Sequence, residues 1–334
     1  MLDGNVLLRQ KRDKVPKGTL SCPNRNMANS QRHCHNEGVR LLPSTCDCEL
    51  IQQTLINVMS QQDEILGLHP INHHVIGEWL DYEDMEPTET SCIRVLSEKK
   101  PFDDAVIEPF SKNLIDYHYT SVTINSLKKR FEKLGFKEFS TYYAQSRKLP
   151  RNVNTRKGNA VEVLMTEYSL AAIDKTDLTY SHRFRYNPNV DQSMKGDDML
   201  IVDFSDEANP TIYIGEAKFR KTVDKAVLDD VKKSLAKDKM PLSLTFLRNC
   251  FEGVDNDKYE KLDDMLIQEL SDYDIRYIGF IVGDKKAGKS VEEKWVCDNP
   301  KHIMLVLSLE EPEEFVKQAF DKAKILLTET PEIL

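Results

Sequence analysis

Apolar residues in the second half of the chain fall into blocks whose period switches between two and 3.6. Residues 199–204 and 211–219 have the length and β-branched content of two strands, and Asn209-Pro210 breaks the chain between them. This predicts a hairpin. Upstream, Val161, Leu164, Met165, Tyr168 and Ala172 form the stripe of a helix over 159–173, and residues 179–186 alternate as a half-exposed strand. Downstream, Thr222 caps a helix with Val223, Val227, Val231 and Leu235 inside, and helical stretches follow at 241–252 and 257–271. Residues 275–282 and 302–307 are continuous apolar strands, and Phe315, Ala319, Phe320 and Ala323 form one face of a last helix. The expected order is helix, three-strand meander, helix, strand. This is an α/β core with a mixed sheet and helices on both faces.

The first half is less regular. A helix is allowed over 51–66, an acidic loop over 78–90, and a helix on Ile124, Leu127, Phe131 and Leu134 with Thr123 as its cap and Gly135 as its stop. His69, His73 and His74 fall on a loop and read as surface groups. Residues 1–50 are polar and hold Cys22, Cys34, Cys46 and Cys48 with His33 and His35, but the spacings C-x11-C and C-x-C lack paired zinc knuckles. A loosely ordered extension is expected there. The division that follows is 1–75 as the extension, 76–155 as a subdomain with a basic helix and loop, and 156–330 as the core.

With 334 residues and 40% apolar content the chain can bury a sizeable core. It has no run long enough to span a membrane and no signal-like start, and its odd cysteine count suits reduced thiols, so a cytoplasmic protein is expected. The net charge of −9 argues against a nucleic-acid partner until its distribution is read: residues 111–160 carry +8, and 252–274 carry −7. The basic segment and its surroundings offer Lys128, Lys129, Arg147, Lys148, Arg151, Arg156, Lys157 and Arg220 as phosphate contacts. A solvated helix face accounts equally well for any one of these lysines.

The strand ends carry the chemistry. Alternation sets Ile212, Ile214, Glu216 and Lys218 on one side of their strand. A carboxylate and an ammonium at a buried strand end require compensation, and a divalent ion between Glu216 and an aspartate of the neighbouring strand would supply it. Glu162, Asp198, Glu216 and Lys218, with the Ala217 carbonyl, therefore form a candidate hydrolytic metal site whose hard oxygens favour Mg2+ or Mn2+. Asp197 competes with Asp198, which is preferred because it directly opens the strand. Glu162 also stands three residues after Asn159, a capping-box spacing that needs no chemistry.

These residues resemble the PD-(D/E)xK, or restriction-endonuclease-like, superfamily: an E-x-K ends an apolar strand, an aspartate leads the strand before it, and a helical glutamate lies upstream. Gly196-Asp197 replaces the usual proline. The segments R-K-G-N-A-V-E-V-L, K-G-D-D-M-L-I and Y-I-G-E-A-K-F-R further resemble the HamA nucleases of Hachiman anti-phage defence, over roughly residues 100–330. The resemblance implies a DNA nuclease held inactive by a separate superfamily 2 helicase subunit of the HamB type until aberrant DNA is met. One rival motif remains. Residues 283–290, G-D-K-K-A-G-K-S, fit the P-loop pattern after an apolar strand. No long striped helix follows and few residues remain, so a basic hairpin turn is expected instead.

Overall fold

A computed structural model describes residues 59–71, 75–236, 241–330 and 334. The Cys/His-bearing segment 1–50, His73 and His74 lie outside the described residues. Among the described residues seven strands form one mixed sheet in the order β1-β2-β7-β6-β5-β4-β3. They are β1 (Leu80–Asp84), β2 (Ile93–Glu98), β3 (Leu178–Tyr180), β4 (Met199–Asp203), β5 (Thr211–Phe219), β6 (Asp274–Asp284) and β7 (His302–Leu309). β3, β4 and β5 run antiparallel as a meander, β5, β6, β7 and β2 are mutually parallel, and β1 closes the far edge antiparallel to β2. The fold class is α/β, as expected.

Among the described residues the helices are α1 (Gln61–Leu66), α2 (Val75–Trp79), α3 (Asp104–His118), α4 (Ser121–Leu134), α5 (Phe136–Ser146), α6 (Val153–Ile173), α7 (Lys225–Leu235), α8 (Leu242–Phe251), α9 (Asn256–Leu266), α10 (Ala287–Lys294) and α11 (Pro312–Thr328). The central strands are buried on both faces, so their side chains feed two cores. On one face Met199, Ile201, Tyr213, Phe280 and Leu305 meet α3, α6 and α11 through Leu114, Met165, Tyr168 and Phe315. On the other, Val202, Ile212, Ile214, Ile281 and Val306 meet Val227, Val231, Leu244, Leu262 and Val291 of α7, α8, α9 and α10. Gly215 allows α6 to approach the sheet: a Cβ there would lie 2.8 Å from the Met165 sulfur and 2.9 Å from Met199 Cβ.

Several local expectations are corrected. The long helix starts at Val153, not Asn159, because the Asn152 side chain accepts from the backbone N–H of Asn154 and Thr155. The capping-box reading of Glu162 falls with it, since Asn159 is interior and its amide meets His118 Nε2 at 2.9 Å. The alternating run 179–186 is a strand only to Tyr180. The chain then turns into a 3₁₀ segment, Arg183–Tyr186, which carries Arg183 inward. Asp224 rather than Thr222 caps α7, and Thr120 rather than Thr123 caps α4. The acidic stretch 78–90 contains the edge strand β1, whose Asp81 and Glu83 are exposed, as suits an unpaired edge, while Asp84 pairs with the buried Arg94. His69 is buried, with Tyr168 Oη 3.0 Å from Nδ1 and the Leu80 carbonyl 3.2 Å from Nε2. Of the helix allowed over 51–66, the described part is α1, capped by Ser60.

Candidate active site at the end of the β4–β5 hairpin

The hairpin register ends by pairing Met199 with Gly215, which leaves Asp198 and Glu216 as the next residues on the two strands. The Asp198 N–H donates to the Gly215 carbonyl at 3.1 Å, and the Ala217 N–H donates to Asp198 Oδ2 at 2.9 Å. A strand residue points its N–H and C=O to the same edge, so the Ala217 carbonyl faces the Asp198 side as well. Glu162 approaches from the middle of α6, where it is buried. Glu216 and Lys218 pair with each other through Oε1 and Nζ.

Periodicity gave no sign of Arg183. Its Nη2 lies 2.7 Å from Glu162 Oε2 and 3.2 Å from Asp198 Oδ1, and its Nη1 donates to the Asp197 carbonyl. A guanidinium that is only 11% exposed thus joins the helix, the meander and the entry to β4. It neutralises the carboxylates only in part. Burial and the neighbouring Asp198 charge push the Glu162 carboxyl up to about 8 despite Arg183. Burial and Glu216 likewise raise Asp198, to about 6.

Asp197 is directed elsewhere. Its carboxylate accepts from Ser243 Oγ at 2.6 Å, and its N–H donates to the same oxygen at 2.9 Å. It is therefore Asp198, not Asp197, that shares Arg183 with Glu162 through its side chain. Ser243, on α8, is a second residue the sequence did not flag. A cavity of about 150 Å3 adjoins the cluster, with Glu162, Arg183, Asp198, Ser243 and Phe246 in its wall. The donor set of carboxylates and a backbone carbonyl has the hard-oxygen chemistry that Mg2+ or Mn2+ takes. Among the described residues, however, no three His, Cys, Asp or Glu side chains already converge on one cation position. Arg183 lies against two of the acids instead.

The predicted phosphate contacts separate into groups. Arg147, Arg151 and Arg156 line one cleft beside α5 and α6, and Lys324 of α11 joins them. Lys157 pairs with Glu313 and lies 5.0 Å from the centre of the Phe219 ring. Lys148 follows α5 and is half-buried, and Arg220 donates to the Phe219 carbonyl at 2.8 Å. Lys128 and Lys129 stand apart on α4, and Lys128 donates to the Leu334 carbonyl at 2.6 Å. His182 rests against Tyr117, with ring centres 4.4 Å apart, and burial lowers its pKa to about 4. This fits its reading as a core-edge group.

The P-loop lookalike is a strand–turn–helix rather than the expected hairpin turn. Its phosphate-cradling parts are engaged within the protein: the Gly288 N–H donates to Ser308 Oγ, Ser290 Oγ donates to the Val223 carbonyl, and Lys289 extends outward near Glu293. A Cβ at Gly283 would lie 2.8 Å from the Arg220 carbonyl, so that glycine serves close packing.

With the geometry in place, comparison with known proteins gives two findings. The HamA family profile matches residues 73–323. The Hachiman protein HamA of Bacillus cereus is 33% identical over 276 residues, covering 81% of this chain and 98% of the relative.

Proposed function

The chain belongs to the HamA family, and on that footing we propose that it is the DNA-cleaving component of a Hachiman anti-phage defence complex. Its fold is read as a PD-(D/E)xK nuclease core: α6, the β3–β5 meander, α7 and the parallel strand β6 follow the order of that superfamily. The observation that carries the proposal is the meeting of Glu162, Asp198, Glu216 and Lys218 at one end of the hairpin, with two of the carboxyls raised by burial and mutual repulsion. Acids held in that state favour added positive charge.

Asp198, Glu216 and the Ala217 carbonyl would hold Mg2+ or Mn2+, with Glu162 as a further ligand. A bound ion supplies neutralisation of the phosphodiester and a water of lowered pKa. Lys218 positions the attacking water or neutralises the phosphoryl oxygens. Asp197 and Ser243 hold the entry to β4, and Arg183 serves as the counter-ion of the resting site. Control by a helicase subunit of superfamily 2 belongs to the same proposal. The test is a nuclease assay on DNA with and without that helicase, across Mg2+ and Mn2+. Metal-dependent cleavage abolished by both Glu216→Ala and Lys218→Ala supports the reading, and activity unchanged in both variants overturns it.

One observation favours a second reading, a DNA-binding subunit without catalysis: Arg183 already pairs with Glu162 and Asp198. That reading requires wild-type protein that binds DNA and cuts none of it under activating conditions.

A further inference from the structure

Outside the candidate active site, a cleft of about 210 Å3 lies between the end of α5, the start of α6 and the outer face of α11. Arg147, Arg151, Arg156 and Lys324 line it, and no carboxylate does. Local carbonyls hold the arginines in place without exhausting them. Arg151 Nη2 donates to the Ala144 carbonyl at 3.1 Å, and Arg156 Nε donates to the Pro150 carbonyl at 2.9 Å while its guanidinium lies 5.5 Å from the Phe320 ring centre. Asp191 Oδ2 meets the cleft's Arg147 at 3.4 Å, while its Oδ1 accepts from the backbone N–H of Arg151 and Asn152, so this acid offsets Arg147 and leaves the side chains of Arg151, Arg156 and Lys324 to the cleft. Donors of Arg151 and Arg156 and the ammonium of Lys324 remain available.

We propose that this cleft is a phosphate site for the backbone of a nucleic-acid strand leading to the β4–β5 site. The assignment rests on the nuclease reading for what lies at the strand's other end, and stands without it as a binding site. Fixed guanidinium groups with open donors match the oxygens of a phosphodiester. The cleft and the candidate active site share α6, whose first turns line the cleft and whose middle carries Glu162. Arg156 is on the same helix as Glu162, six residues earlier, a rise of about 9 Å. Lys157, next to Arg156, stands over Phe219, which follows Lys218.

The test is DNA binding by the full chain, by fluorescence anisotropy in EDTA on a labelled duplex and a labelled single strand, from 50 to 200 mM salt. Arg151→Gln combined with Lys324→Gln removes two exposed cleft cations and leaves the core intact. Lys317→Gln, on the same helix and outside the cleft, controls for loss of charge. Two lost phosphate contacts reduce the salt slope by about 1.8, so over that salt range wild-type affinity should fall roughly tenfold more steeply than that of the double variant. Lys317→Gln should behave as wild type. An equal loss in the control overturns the proposal, as does unchanged affinity and slope in the double variant, including the case where that variant weakens binding of the partner protein instead. Metal-free binding requires no cleavage, so a chain that binds through this cleft and cuts nothing would refute the nuclease reading alone.

Discussion

Glu162→Gln offers a direct measure of how strained the acid cluster is. Burial and the Asp198 charge raise the Glu162 carboxyl from its ordinary 4.5 to about 8 in the folded protein. A carboxyl whose folded pKa is raised binds its proton more tightly when folded. The associated stability is fully present below about 4.5 and is lost as pH climbs through about 8. At about 1.4 kcal/mol per pH unit that interval sets an upper bound on the order of 4–5 kcal/mol, and relaxation of the interior brings the expected loss to about 2–4 kcal/mol. Glutamine keeps the oxygen that accepts from Arg183 and cannot ionise. Urea unfolding in EDTA should therefore give nearly equal stabilities for wild type and variant at pH 5, with the variant ahead by about 2–4 kcal/mol at pH 9. Curves that stay parallel across this range, or a variant less stable at pH 9, would refute the reasoning.

Three further outcomes follow from the same geometry. Arg183→Gln leaves Glu162 and Asp198 without their guanidinium, which should cost the metal-free protein about 3–5 kcal/mol at pH 8. Mn2+ should then raise the melting temperature of the variant more than that of wild type, and equal shifts would remove Arg183 from its role as counter-ion. Gly215→Ala drives a methyl group against Met165 and Met199, so a loss of about 1–3 kcal/mol is expected by urea unfolding, and a neutral result would show that α6 can retreat. Calorimetry should detect no ATP binding by the chain, and ATP binding that disappears in Lys289→Ala would restore the phosphate-loop reading of residues 283–290.

What the sequence made legible is what local periodicity encodes. The β4–β5 hairpin, its Glu216 and Lys218, and the parallel strands β6 and β7 are readable because their apolar runs are bounded by clear breaks. The start of α6 is hidden because its first turns, Asn154 to Gly158, are polar and carry no stripe, and only the Asn152 cap marks them. β1 is hidden for the opposite reason: as an edge strand it exposes Asp81, Tyr82 and Glu83 and so resembles a loop. Arg183 is beyond any local rule, since its partners Glu162 and Asp198 are brought to it by the fold from 21 residues before and 15 after. The engagement of the Asp197 carboxylate is likewise non-local, since its partner Ser243 is 46 residues away.

The neutralisation of the cluster accounts for why that arginine matters. Three acids, Glu162, Asp198 and Glu216, face two cations, and Lys218 is paired with Glu216, so Arg183 is the cation in contact with both remaining carboxyls. Burial and repulsion raise both carboxyls in spite of that one delocalised charge. A doubly charged ion would satisfy the same oxygens better and would compete with the guanidinium for Glu162 and Asp198. Arg183 also holds the Asp197 carbonyl at the entry to β4, where Ser243 of α8 is attached. On the metal-site reading, a push on α8 or on the 3₁₀ segment and the arrival of a divalent cation would bias the same contacts. A partner that pulled Arg183 away would then raise cation affinity without touching the carboxylates themselves.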